Sequence, residues 1–246
     1  MDSYGIKDSA NFTVKYKSGA NKGKVFVYSD YATVATNEWT SEQVYAKSKN
    51  VNAIRWDYGR ASTLKVDMEI FDLKWISMFF GTEFVSGAKD ILKREVLTLG
   101  ADKTASLAGT VKTGSLSVYK LEDDGITNGE ELMLTDGYTI SEKKITVTSG
   151  SEGDKIVAYY LETKSDVKTL TINADKYPVN FEIIADTMIR NTAGDDEFVQ
   201  IHYLNVKAKS QFTLTLDASN ITTLSAEFDI LKDTGSSDMA TYTIYK

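Results

Sequence analysis

The sequence predicts a mainly β fold: an antiparallel β-sandwich or barrel with one flanking α-helix and an inserted small β subdomain. Many short segments alternate apolar and polar residues, and Gly, Asn, Asp and Ser cluster between them as turn residues. One segment changes from a period of two to a helical period. A single proline in 246 residues leaves the turns to those other residue types.

The strand-to-helix transition is the clearest local pattern. From Thr63 to Ile70 the apolar residues stand two apart, at Leu64, Val66, Met68 and Ile70, which places them on one face of a strand. The next apolar residues recur at spacings of three and four, at Phe71, Trp75, Met78 and Phe79, which predicts a helix with one apolar stripe. Gly81 supplies a left-handed C-cap, so a short helix is expected to cover the sheet.

The same reasoning assigns the remaining segments. Alternation predicts strands at Phe12–Tyr16, Lys24–Tyr28, Thr169–Asn173, Phe181–Arg190, Phe198–Ala208, Gln211–Leu216, Leu224–Ile230 and Tyr242–Tyr245. Residues 29–50 are predicted to be a long irregular loop, and Lys89–Leu99 a linker. Four short strand candidates after Ser115 indicate a compact antiparallel unit. The predicted domains are therefore a core of residues 1–108 and 167–246, with an inserted subdomain at 109–166.

Composition excludes several classes of protein. The absence of cysteine excludes disulfides, thiolate zinc sites and cysteine nucleophiles. The longest apolar run is far shorter than the roughly 20 residues of a membrane-spanning helix, so no membrane partner is expected. The first residues lack the pattern of a secretory signal, and no export by that route is expected. A net charge of −7 argues against tight binding to nucleic-acid phosphates.

The charge is unevenly distributed. Residues 1–60 carry nine basic and six acidic side chains, a net +3, so the remainder carries −10. A basic cluster lies in the predicted first hairpin, at Lys15, Lys17, Lys22 and Lys24. A basic end and an acidic body could pair head-to-tail between copies; a simple solvated hairpin explains the cluster equally well.

No candidate site carries a catalytic or metal-binding signature. The acidic cluster of Glu122, Asp123, Asp124, Glu130 and Glu131 could offer oxygen ligands to calcium, but its spacing matches no calcium-binding loop and favours a solvated hairpin tip. Asp195, Asp196 and Glu197 are interpreted in the same way. His202 is interpreted as a partly buried strand residue. Phosphate-binding loops, nucleophile elbows and HExxH patterns do not occur, so no catalytic residue, cofactor or metal is assigned and no enzymatic activity is expected.

Four aromatic residues suggest a binding surface. Trp39, Tyr45, Trp56 and Tyr58 could stack on a sugar, or they could lie in a protein–protein interface, where aromatic residues are enriched. The period-two spacing of Trp56 and Tyr58 favours the core of a strand or an interface.

Four segments carry a family resemblance, at residues 60–81, 114–163, 175–191 and 206–231. In this order they resemble the major tail tube proteins of contractile-tailed bacteriophages, especially large phages of Gram-positive hosts. The resemblance implies six copies per ring, with their sheets joined into an inner barrel, and stacked rings inside a contractile sheath. It implies the sheath, baseplate and tail terminator proteins as partners and DNA as a transient, non-specific cargo. The protein would lie in the virion after assembly in the host cytoplasm, and the family has no catalytic residues.

Two hypotheses and two alternatives accompany this interpretation. An acidic subunit could give a negative lumen that repels DNA phosphates, and the loop Tyr31–Asn50 could fold onto the neighbouring ring. The alternative from another class is a β-sandwich carbohydrate- or receptor-binding module. Within the structural class, a non-contractile tail or a phage-derived particle without DNA stays open.

Overall fold

The computed structural model describes residues 3–6 and 8–245, of which 57% are in β-strands. All ladders between its named strands are antiparallel, and one short helix occurs in the described part of the chain. The predicted fold class is confirmed, although the sheets of these residues do not close into a barrel. The strands are β1 Tyr4–Ile6, β2 Asn11–Tyr16, β3 Val25–Ser29, β4 Ala32–Ser48, β5 Val51–Met68, β6 Val85–Thr98, β7 Thr104–Ser106, β8 Ser117–Leu121, β9 Asn128–Leu132, β10 Tyr138–Ser141, β11 Lys144–Val147, β12 Lys155–Thr169, β13 Asn180–Asn191, β14 Asp196–Ala208, β15 Leu224–Ile230 and β16 Ala240–Tyr245; the helix α1 is Leu73–Phe80.

The chain forms two compact units. Unit 1 comprises Met1–Phe84 and Leu170–Lys246, and unit 2 comprises Val85–Thr169. The chain leaves unit 1 at Phe84 and returns at Leu170, and the first and last residues of unit 2, Val85 and Thr169, are partners in one ladder. The segment expected as an inserted subdomain, 109–166, lies within unit 2.

Unit 1 is built on one nine-stranded sheet. The strand order is β3-β2-β13-β14-β15-β5-β4, with β1 added to β13 and β16 added to β14. Alternate residues of each central strand enter the core, as the period of two requires. The buried set includes Phe12, Val14, Leu64, Val66, Met68, Phe181, Ile183, Phe228 and Ile230. Ile70 was predicted to join this face but is 64% exposed, because β5 ends at Met68.

The helix forms as predicted. The Asp72 carboxylate accepts a hydrogen bond from the backbone N–H of Lys74 at 2.8 Å and caps the first turn. Gly81 ends the helix with φ +60°. Trp75 is fully buried and its ring meets that of Phe228 edge-on, with centroids 6.2 Å apart. The helix therefore covers the apolar face of the sheet.

Unit 2 consists of two smaller sheets. One has the order β6-β12-β8-β9 and the other β10-β11-β7. Their core includes Val118, Ile145, Ile156, Ala158 and Tyr160. The Tyr160 hydroxyl donates to Glu95 Oε1 at 2.5 Å and accepts from the Gly109 N–H at 2.9 Å, so this buried polar atom is satisfied.

Several predicted segments were wrong. The expected loop at 29–50 is mostly strand β4, and the expected linker Lys89–Leu99 is mostly strand β6. Strand β4 is largely exposed on both faces, and the half-buried face of β6 carries the charged residues Lys93 and Glu95, so no apolar alternation marks either strand. Conversely, Gln211–Leu216 forms no strand in the described chain, and only Thr169 of the predicted strand Thr169–Asn173 belongs to one. Strand β9 contains Glu130 and Glu131, two of the residues interpreted as a solvated hairpin tip.

Candidate functional site: an exposed two-stranded arm

The longest two strands of unit 1 extend beyond its sheet. β4 has 17 residues and β5 has 18, and the turn between them places Lys49 and Asn50 at φ values of 49° and 67°. The neighbouring strand β15 pairs with β5 only from Met68 back to Ser62. Residues 41–60 are therefore a two-stranded ribbon with no third strand in the described part of the chain, and we call them the arm. At about 3.3 Å per residue, its roughly ten residues per strand span about 33 Å.

A change of register marks the start of the arm. The ladder shifts between Thr40 and Glu42, where two residues of β5 lie opposite one of β4. Gly59, at this irregularity, has φ +59°. Such bulges bend a ribbon and increase its twist, so they give the arm a direction different from that of the sheet.

The arm has one apolar face. Residues directly opposite each other in a ladder project to the same side, and the register pairs Val44 with Trp56 and Ala46 with Ile54. Tyr58 lies two residues from Trp56 and therefore shares that side. We call the set the apolar face; it consists of Val44, Ala46, Ile54, Trp56 and Tyr58, with the charged Glu42 opposite Tyr58 at its end nearest the sheet.

The opposite face of the arm is polar. Here Gln43 pairs with Asp57, and Tyr45 pairs with Arg55. The Tyr45 hydroxyl donates to Gln43 Oε1 at 2.6 Å, and Arg55 Nη2 lies 3.2 Å from Asp57 Oδ2. These side chains form a hydrogen bond and an ion pair with each other and are exposed to water. The polar face is therefore stable without contact to another chain.

The apolar face is exposed in the single subunit. Trp56 is 51% and Tyr58 53% exposed, and Val44 and Ile54 are similarly uncovered. An isolated two-stranded ribbon is marginally stable in water, and contiguous exposed apolar residues usually mark a contact surface. The arm therefore has the features of a segment that is completed by another chain.

The arm is also basic. Its four cationic residues are Lys47, Lys49, Arg55 and Arg60, against the acidic Glu42 and Asp57, a net charge of +2. Because the whole chain carries −7, the remainder carries −9. The charge asymmetry seen in the sequence is thus partly located in the arm.

The basic cluster of the first hairpin is partly used within the subunit. Lys17 Nζ lies 2.6 Å from Asp233 Oδ1 and 3.3 Å from Glu182 Oε1. The hydrogen bond with Asp233 is the largest cause of the raised pKa of Lys17. Lys15 lies 4.0 Å from Glu182, so Lys22 and Lys24, at the β2–β3 turn, are the members left to face a partner.

Most of the acidic candidates lie in turns or surface ion pairs, but Glu197 is buried in β14, so its interpretation as part of a solvated turn is wrong. The Asp124 carboxylate accepts from the backbone N–H groups of Ile126 and Thr127, both at 2.8 Å, and the Thr127 hydroxyl is the main cause of its lowered pKa. Glu130 pairs with Lys120 at 2.5 Å. Asp196 receives two hydrogen bonds from Arg190 at 2.6 and 2.8 Å. Across residues 3–6 and 8–245, no three His, Cys, Asp or Glu side chains are grouped so that they could hold a metal ion.

The other residues singled out in the sequence are His202 and the aromatic residues. His202 lies in β14 with Nε2 3.6 Å from Glu182, partly buried in a strand as predicted. Trp56 and Tyr58 are exposed and not core residues, which leaves an interface or a sugar-stacking surface as their interpretation. Sequence reasoning did not identify Val44, Ala46 and Ile54, although the alternation Ile54-Trp56-Tyr58 was visible. In the part of the chain that the structure describes, none of the helical segments has the length and apolarity to cross a membrane.

The sequence matches one known protein family over nearly its whole length. A family model described as the YomU/Tube protein family matches residues 4–244. A comparison with curated proteins finds no match. The family description indicates a phage tube-related structural protein, a component of the virion tail that assembles with other tail components.

Proposed function

Because the chain belongs to the YomU/Tube protein family, we propose that it is the subunit of a hollow phage tail tube. Copies form rings, six to a ring, and the rings stack into a conduit through which DNA leaves the particle. The proposal gives the protein a structural role without catalysis, which agrees with a family of structural tube proteins.

The exposed arm is the observation that carries this proposal. A ribbon about 33 Å long reaches well beyond the sheet that holds it, and its apolar face is uncovered in the single subunit. Contacts between different surfaces of identical chains generate rings and, with axial repetition, filaments. We assign the arm to the contact with the neighbouring ring, where the apolar face is buried against the next subunit.

The open sheet of unit 1 supports the formation of rings. Its order ends at β3 on one side and at β4 on the other. Exposed strand edges carry unpaired backbone groups and tend to pair with other chains. Edge-to-edge joining of six such sheets into an inner barrel uses these edges and leaves none exposed.

The acidic composition suits a conduit for DNA. Carboxylates lining the lumen repel phosphates and let the duplex slide, since binding to DNA rests on neutralisation by Lys and Arg. Replacing lumen carboxylates with lysine is expected to slow DNA ejection. Unchanged ejection kinetics would remove this part of the proposal.

We further assign the partners of the tube, its place of assembly and the roles of its domains as in a contractile tail. The tube contacts the sheath, baseplate and tail terminator proteins, assembles in the host cytoplasm and carries DNA as a transient cargo. The tube is built by unit 1, the part of the predicted core 1–108 and 167–246 that forms the nine-stranded sheet, whereas unit 2, which contains the predicted subdomain 109–166, is an addition to it. The resemblance to contractile phages of Gram-positive hosts supports these assignments.

Negative-stain electron microscopy of the purified chain, together with its mass in solution, tests the proposal. Hollow tubes or six-membered rings are the expected result. A monomer that persists at all salt concentrations, even with preformed tail initiator complexes added, would contradict it. Binding to a glycan array would then favour the carbohydrate- or receptor-binding module.

A further inference from the structure

We call residues 37–40 of β4 and 61–63 of β5, where the arm joins the sheet, the root of the arm. There the side chain of Asn37 forms five hydrogen bonds. Asn37 Oδ1 accepts from Trp39 Nε1 at 2.8 Å, from the Tyr242 hydroxyl at 3.1 Å and from the Tyr203 hydroxyl at 3.3 Å. Asn37 Nδ2 donates to Ser62 Oγ at 2.9 Å and to the Thr63 carbonyl at 2.8 Å. The amide therefore uses both its acceptor and its donors.

These bonds join strands that are distant in sequence. Asn37 lies in β4, Ser62 and Thr63 in β5, Tyr203 in β14 and Tyr242 in β16. Both strands of the arm are thus tied, a few residues before the arm starts, to the centre of the sheet and to the C-terminal strand. Tyr203 is buried, and burial is the main cause of its strongly raised pKa, so its hydroxyl stays protonated as a donor.

Between β4 and the strands β13 and β14, apolar side chains do not pack tightly enough to hold the root of the arm in place. A cavity of about 360 Å³ opens here, bordered by Val34, Ala35 and Asn37 on one side and by Ala185, Ile201 and Tyr203 on the other. Where side chains do not fill the space between two parts of a sheet, the restraint on their relative angle falls to polar contacts. The Asn37 cluster provides those contacts.

We propose that Asn37 is a positioning residue that holds the arm in its assembly-competent direction before any partner binds. The inference rests on the proposed function, since it assigns the arm its role in assembly. A rotation of about 10° at the root would move the tip by about 6 Å over an arm about 33 Å long. Fixing the direction in advance lowers the ordering cost of association.

The test measures the direction of the arm in the isolated subunit. Since the chain has no cysteine, a cysteine pair introduced at Asn50 in the arm turn and Thr192 in the β13–β14 turn carries the only spin labels. The labels are placed in a Trp56→Ser/Tyr58→Ser background, diluted with unlabelled protein, so that distances arise within one subunit. Pulsed electron resonance then gives the distribution of tip-to-body distances.

Asn37→Ala is expected to broaden this distribution by about twofold, because a segment that loses its restraints samples more orientations. In the otherwise native chain it is expected to slow tube assembly by about tenfold, the loss of roughly 1.4 kcal/mol of pre-organisation. Asn205→Ala is the matched control. Asn205 is a buried asparagine, bonded to Asn180 at 2.8 Å and to the Lys232 carbonyl at 2.9 Å, and neither of these side-chain bonds involves β4 or β5.

A distance distribution that is unchanged in a folded Asn37→Ala chain would overturn the proposal, as would equal broadening in Asn205→Ala. If Asn37→Ala does not fold, Trp39→Phe and Tyr242→Phe decide the matter, since each removes one donor to Asn37 and should broaden the distribution by a smaller amount. No broadening in either variant would also overturn it. Failure of the native chain to form tubes would contradict the proposed function instead, because the distances are measured without assembly.

Discussion

Val44 and Trp56 lie directly opposite each other in the β4–β5 ladder, and both side chains remain about half exposed. A cross-strand apolar pair of this kind stabilises a ribbon by only a few tenths of a kcal/mol to about 1 kcal/mol. Its larger effect is to present a continuous apolar strip to another molecule. The arm therefore matters more for association than for the stability of the subunit.

Trp56→Ser is expected to abolish or strongly reduce tube assembly while changing the free energy of unfolding by less than about 0.5 kcal/mol, as for other exposed positions. A buried tryptophan at an interface commonly contributes about 2 kcal/mol or more to binding. Sedimentation of assembled material measures the first effect, and thermal unfolding followed by circular dichroism measures the second. Tyr45→Ser, which removes an aromatic ring from the polar face, is the control and should assemble normally. Equal loss in both variants would show that the apolar face has no special role.

Gly81→Ala is expected to destabilise unit 1 by about 2–4 kcal/mol, because it combines left-handed strain with a steric clash. Gly81 has φ +60°, and an added Cβ would lie 2.0 Å from the carbonyl oxygen of Tyr177. Urea unfolding followed by tryptophan fluorescence reports on unit 1 alone, since Trp39, Trp56 and Trp75 all belong to it. Gly5→Ala is the control, because no heavy atom lies within 4 Å of its added Cβ. A Gly81→Ala chain as stable as the control would mean that the loop at Tyr177 yields freely.

Tyr160→Phe is expected to destabilise unit 2 by about 1–3 kcal/mol, because it leaves a buried backbone donor and a carboxylate without their shared partner. The lost contacts are the 2.9 Å bond from the Gly109 N–H and the 2.5 Å bond to Glu95. Hydrogen exchange of peptides from unit 2 measures the change. Tyr159→Phe provides the comparison, since its hydroxyl is at the surface with Arg94 and Asn128 and should matter less. Protection that falls equally in both variants would argue against a special role for Tyr160.

Unit 2 should lose stability in acid through Glu95. Burial raises the pKa of this carboxyl, but hydrogen bonds from the Tyr160 hydroxyl and the Ala108 and Gly109 N–H groups outweigh it, and the pKa is lowered. The folded unit thus favours the ionised form. The resulting stability is present above the unfolded pKa of about 4.3 and is lost as the pH falls through the lower folded value. Glu95→Gln should flatten the dependence in this range, as measured by hydrogen exchange of unit 2; an unchanged acid profile would exclude Glu95 as a contributor.

Sequence patterns predicted the elements that bury one face. Leu64, Val66 and Met68 alternate because one side of β5 lies on the core, and Trp75 and Met78 follow a helical stripe because α1 covers that core. The arm escaped prediction because its strands are exposed to water on both faces, and β6 because its half-buried face carries Lys93 and Glu95; in both cases the apolar alternation is lost. Gln211–Leu216 shows the converse: Phe212, Leu214 and Leu216 alternate, but a strand also needs a neighbouring edge, and this segment has none among the described residues. The hydrogen bonds of Asn37 could not be read from sequence because they join residues up to 205 positions apart.

Val85 and Thr169, the first and last residues of unit 2, pair in one ladder, and this pairing has a consequence for the evolution of the chain. Opposite residues of an antiparallel ladder have Cα atoms about 4.5–5.5 Å apart, so the chain departs from unit 1 and re-enters it at nearly the same place. Unit 2 could be replaced by another domain whose termini lie close together, or by a tight turn. Neither change would shift the register of the nine-stranded sheet. Unit 2 can therefore diversify between related chains while the nine-stranded sheet of unit 1 stays the same.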